Sequence, residues 1–139
     1  MDWKSLVEFD YGVVSSEIRS ALLNIATFTR NIIQQAGLSV QVDGELSSVG
    51  AEVEIDFGDD AAGGVFVTWH ADPALTEVAA QSVSDGRFDD PSIIQSGAIS
   101  EVMRDAIIQI LQLAKCVAEP SNDDMRPLAL RVTSIPPSS

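Results

Sequence analysis

Apolar residues recur along this chain with two different periods, and the places where the period changes divide it into elements. Ile18, Leu22, Ile25, Ile32 and Ala36 share one face of a 3.6-residue repeat, and Ala21, Phe28 and Ile33 widen it. Ser15 or Ser16 can cap that helix, Glu17 suits its first turn, and Gly37 ends it. Before it, residues 1–12 carry Trp3, Leu6, Val7 and Phe9 and form a short helix or an arm, set off by Gly12.

After Gly37 the period drops to two. Leu38, Val40, Val42 and Leu46 share one parity, and Ser39, Gln41, Asp43 and Glu45 share the other. Val53, Ile55 and Phe57 alternate with Glu52, Glu54 and Asp56, and Val65, Val67 and Trp69 alternate with Phe66, Thr68 and His70. Turn-rich stretches at 47–50 and 58–64 separate these runs, so the pattern predicts three half-buried strands joined by hairpins.

Helical spacing then returns. Asp72 before Pro73, and Asp90 before Pro91, each place a capping carboxylate ahead of a residue preset for a first turn. Leu75, Val78, Ala79 and Val83 form the apolar side of the first of these helices. The second is expected to run to about Ala118, with Gly97 as a weak point or its true start. Its expected core stripe is Ile99, Val102, Met103, Ala106, Ile110, Leu113 and Val117. Leu128, Leu130 and Val132 alternate in a last strand, which Pro136 and Pro137 end. The order α-β-β-β-α-α-β predicts one α+β domain over 1–139, with an arm at 1–12 and a tail at 134–139. Its architecture is a mostly antiparallel four-stranded sheet with helices packed on one face.

Length and composition add bounds. A chain of 139 residues buries enough surface for its own core, and a hydrophobic content of 45% argues against disorder. No apolar run approaches the ~18 residues that span a bilayer, and the first residues lack the basic, then apolar, pattern of a secretory signal. The expected location is the cytoplasm. One cysteine excludes an internal disulfide framework and a multi-cysteine zinc site. Twenty-one acidic against 8 basic residues, a net charge of -13, exclude simple electrostatic binding to phosphate backbones or anionic lipid.

The distribution of charge says more than its total. Residues 31–84 contain no Lys or Arg, yet hold Asp43, Glu45, Glu52, Glu54, Asp56, Asp59, Asp60, Asp72 and Glu77. Side chains alternate between the faces of a strand. If Val53, Ile55 and Phe57 face the helices, Glu52, Glu54 and Asp56 face away, and the same rule turns Asp43 and Glu45 outward. Like charges opposed across a ladder are unfavourable, and Arg131 on the last strand is the one cation of outward parity. Such a face is either a solvated surface or a docking surface for a cationic partner. In the second case Phe66, Thr68 and His70 form its less charged centre, with Asp59 and Asp60 in the adjoining turn. Phe66 could instead lie beneath the N-terminal segment.

Candidate chemistry is sparse. Cys116 lies in the apolar end of the last helix, where a cysteine is usually inert packing. His70, the single histidine, sits beside Asp72 but has no nucleophile motif to serve. Asp59 with Asp60, Asp89 with Asp90, and Asp123 with Asp124 lack the spacing of a calcium loop, and Asp also serves turns. No P-loop is present. No catalytic residue, metal or cofactor is therefore assigned. The expectation is a non-catalytic acidic binding protein that neutralises a basic protein partner, of the immunity or antitoxin type that inhibits a toxin or nuclease. A secretion-type chaperone or adaptor, a homodimer in that case, is the alternative; a small metal-dependent enzyme is the third.

Overall fold

The computed structural model describes residues 9–41, 49–58, 63–124 and 126–137, with side chains from residue 16 onward. The described residues form three helices, α1 (Phe9–Gln35), α2 (Pro73–Ser84) and α3 (Pro91–Leu113). Five strands, β1 (Val40–Gln41), β2 (Gly50–Asp56), β3 (Gly64–His70), β4 (Val117–Pro120) and β5 (Leu130–Ser134), form one sheet in the order β1-β2-β3-β5-β4. The α+β class holds, but the sheet has five strands rather than four and is mixed, because β1 runs parallel to β2. The β2–β3 hairpin pairs Asp56 with Gly64 and Glu52 with Thr68, as an antiparallel hairpin requires. No hairpin joins β1 to β2; the Ala51 amide instead donates to the Ser39 carbonyl at 2.9 Å. Gly50 makes that approach possible, since a Cβ there would lie 2.6 Å from the same oxygen. β3 and β4 run parallel with β5 between them, so α2 and α3 belong to the crossover that joins them.

All three helices end with the same two bonds. Gly37 and Leu38 donate to Gln34 and Ile33, Gly86 and Arg87 to Val83 and Ser82, and Lys115 and Cys116 to Gln112 and Leu111, at 2.8 to 3.3 Å. This motif needs a left-handed residue just past the helix, and φ is +94° at Gly37, +77° at Gly86 and +69° at Lys115. Two of the three stops are glycines and legible in sequence. The third is a lysine, so α3 ends at Leu113 rather than near Ala118, and Cys116 and Val117 fall in a turn and in β4. At the other end, Asp72 Oδ1 accepts from the Ala74 amide at 2.8 Å and Asp90 Oδ1 from the Ser92 amide at 2.9 Å. That Ser92 amide, aided by the Ser92 hydroxyl, holds the Asp90 carboxyl below its ordinary range. The cap's contribution is thus full above the ordinary carboxylate pKa and is lost as pH falls through the lower folded value. α1 already includes Phe9, the first described residue, and passes through Gly12, so 9–12 are helical rather than an arm, residues 1–8 lie outside the described residues, and Ser15 and Ser16 are not its cap.

The core lies between the helices and one sheet face. Ala26, Thr29 and Ile33 of α1 and Ile107, Ile108 and Leu111 of α3 are buried there, against Val53, Val65, Val67, Leu130 and Val132. On α1 the buried face is centred on Ala26, Thr29 and Ile33, flanked by Leu22, Ile25, Phe28 and Ile32, while Ala21 and Ala36 are exposed. On α3 the correction is larger. In the stripe expected in the core Val102 is 64% exposed and Leu113 83%, while Ile99, Met103, Ala106 and Ile110 are half-buried at its margin. The helix is apolar on two opposite sides, and periodicity locates both stripes without saying which one meets the sheet.

Gly97 lies inside α3 with open space where a Cβ would stand. Gly97→Ala is expected to raise stability by about 1 kcal/mol. Lys115→Gly is expected to raise it by about 0.5 kcal/mol, by removing the left-handed penalty of a side chain. Urea unfolding measures both; a loss of stability in the first would mean that residues 91–97 are not helical.

Candidate functional site

The two-residue period of β2 and β3 sends Val53, Val65 and Val67 to the helices and Glu52, Glu54, Asp56, Phe66, Thr68 and His70 to the opposite face. Cross-strand register then builds a row over four strands. Glu54 stands opposite Phe66, Phe66 opposite Arg131, and Arg131 opposite Glu119. Beside this row, His70 Nε2 donates to Glu52 Oε1 at 2.7 Å. Asp72, its neighbour in sequence, caps α2 instead.

The centre of this face is an ion-pair cluster around a residue that periodicity does not single out. Arg126, from the loop between β4 and β5, donates through Nε to Glu54 Oε1 at 3.1 Å and through Nη1 to Asp123 Oδ2 at 2.6 Å. Its Nη2 lies 3.6 Å from Asp56 Oδ2. The guanidinium carbon sits 4.4 Å from the centroid of the Phe66 ring, which is cation–π geometry. The hydrogen bond to Glu54 is the largest of the effects that raise the Arg126 pKa above its ordinary value, fixing the charged form. Phe66 is 1% exposed, so it is not the open, less charged centre of a patch. The sequence does contain a clue to Arg126. An outward phenylalanine flanked by carboxylates calls for a cover that is both flat and cationic, and a loop arginine beside an adjoining strand supplies it.

Glu52, Glu54 and Asp56 remain partly open, their side chains 41%, 50% and 33% exposed. Thr68 is half-buried beside them. Asp43, Glu45, Asp59 and Asp60 lie outside the described residues. Among the described residues of this side, Glu52, Glu54, Asp56, Glu119 and Asp123 stand against Arg126 and Arg131. The face is thus anionic even after its internal pairing.

Other chemistry is muted. Cys116 is buried, and burial pushes its thiol pKa up, away from the reactive thiolate. Among the described residues no group of three or more His, Cys, Asp or Glu side chains could hold a metal ion. A cleft between α1 and the end of β5 is lined by Ile18, Leu22, Ile25, Val132 and Arg131, and the Arg131 guanidinium donates to the Gly63 carbonyl. Its described lining holds no carboxylate, histidine or cysteine. No described helix is long and apolar enough to cross a membrane. No protein family, curated protein or solved structure matches the chain.

Arg126→Ala leaves Glu54, Asp56 and Asp123 without their shared cation and uncovers Phe66. The expected loss is about 1–2 kcal/mol in urea unfolding, with Arg126→Lys recovering part of it. Unchanged stability in Arg126→Ala would show that the cluster is not a determinant of the fold.

Proposed function

We propose that the protein is a non-catalytic binding protein that neutralises a basic protein partner in the cytoplasm, in the manner of an immunity or antitoxin inhibitor of a toxin or nuclease. The observation that supports this most is the part-exposed carboxylate row of β2, set on the sheet face opposite the helices and braced by Arg126 over Phe66. Residues two apart on a strand repeat about every 6.6 Å. Glu52, Glu54 and Asp56 therefore repeat at about twice the ~3.4 Å rise per nucleotide of one DNA strand. A basic groove shaped for a phosphate backbone is a natural counterpart, and clustered opposite charge speeds its capture.

The two other readings have less behind them. A secretion-type chaperone would offer a free strand edge to an extended segment. Here the edge strand β4 has four residues and ends at Pro120, which cannot donate to a ladder. A metal-dependent enzyme would need His70 or converging acidic loops; His70 is paired with Glu52, and among the described residues no group of three or more His, Cys, Asp or Glu could hold a metal.

Affinity capture from native extract at low salt should recover a folded, basic domain. Binding of that domain should weaken as salt rises, and Glu52→Lys with Thr68→Lys should lower affinity by about tenfold or more at unchanged fold. Recovery of an unfolded segment, or binding indifferent to salt and to both substitutions, would remove the assignment.

A further inference from the structure

We infer that the outer face of α3 is a self-association surface, and that the protein is a homodimer in which each copy lays this face on the other's. α3 carries a buried stripe, Ile107, Ile108 and Leu111, and on the opposite side a second stripe of Ile99, Val102, Ala106, Ile110 and Leu113. A helix with apolar residues on both sides is built for cover on both sides. The sheet covers one. On the other, Val102 and Leu113 are among the most exposed apolar residues of the described structure, and shallow grooves flank them along the helix.

Three features favour a second copy as the occupant. The first is spacing. Ile99, Val102, Ala106, Gln109 and Leu113 follow one another at intervals of three and four. That is the seam by which like helices pack on like helices. The second is charge. In a chain of net charge -13 the stripe itself is uncharged, and Asp105 at its margin is held by Arg104 at 3.0 Å. The acidic row lies on the far side of the sheet, so stacking α3 on its copy points both acidic faces outward. Two helix layers and two sheets then separate them by about 30 Å, well beyond the ~8 Å Debye length at physiological salt. The third is size. Half the lateral surface of a 23-residue helix is about 600 Å². This approaches the ~800 Å² that each partner contributes to a standard interface.

Analytical ultracentrifugation of the full chain at micromolar concentration tests this. The expected mass is twice 14.8 kDa. The dimer should persist or tighten in high salt, the reverse of the salt response expected for the acidic face. Val102→Glu places a charge at an already exposed site and should weaken association about tenfold or more, while Gln109→Leu should tighten it. Circular dichroism reads the fold of each variant. If Val102→Glu does not fold, Leu113→Lys, at the most exposed of these positions, carries the same expectation. A single 14.8 kDa species at every concentration overturns the inference, whether a foreign segment or nothing covers the helix. A dimer indifferent to these substitutions overturns it as well.

Discussion

The antiparallel pairing of β2 with β3 governs where the charges and the core residues of this sheet go. Val53 stands opposite Val67 and Ile55 opposite Val65, so the inward parity of both strands is apolar. A slip of one residue in β2 would turn Val53 to solvent and drive Glu52, Glu54 and Asp56 beneath α1. Unpaired buried carboxylates cost several kcal/mol each, so the register is enforced from both faces at once. Phe66 is the exception, an apolar ring on the polar side, and the structure resolves it with Arg126. The same guanidinium covers the ring and neutralises carboxylates that would otherwise repel one another.

This arrangement separates two surfaces of opposite character. The sheet's outer face is anionic, rigid and only partly satisfied. The far side of α3 is apolar and nearly uncharged. A protein with such a large excess of acids can tolerate an apolar patch only where the charges do not surround it, and the sheet between them provides that distance. The proposed partner binding and the inferred self-association would therefore draw on different forces. Ionic strength weakens one and leaves the other intact or strengthened.

Much of the fold is legible in the residues themselves. The Asp-Pro pairs at 72–73 and 90–91 mark helix starts through a cap and a preset φ, and both caps are made. Alternation in 52–57 and 65–70 places two strands and assigns their faces. What escapes is whatever depends on a partner distant in sequence. Lys115 adopts a left-handed conformation that nothing local requires, so β4 is hidden inside an apparent helix. β1 pairs in parallel through a close approach at Gly50, although 38–46 alternates like the arm of a hairpin. The stripes of α3 have equal periodicity, and only tertiary contact separates the inner from the outer. Arg126 lies in a loop with no periodic signal, and its role depends on the fold bringing it over β3. The acidic set is legible through Glu52, Glu54 and Asp56; the cation that organises it leaves only the indirect clue of an outward Phe66 among carboxylates.

The strand order carries a consequence for how the chain comes together. β5 follows every other element in sequence, yet it sits between β3 and β4 near the middle of the sheet. A nascent chain emerging from the ribosome can form α1, the β2–β3 hairpin and the α2–α3 pair before β5 is available. Until then β3 presents a bare edge, Phe66 lacks Arg131 across the ladder, and the core of α3 has no Leu130 or Val132 to pack against. β5 must be made before the domain can close, and contacts of such long sequence separation slow that closure. Loss of β5 would therefore detach β4 and bare the edge of β3, a graver injury than loss of either edge strand alone.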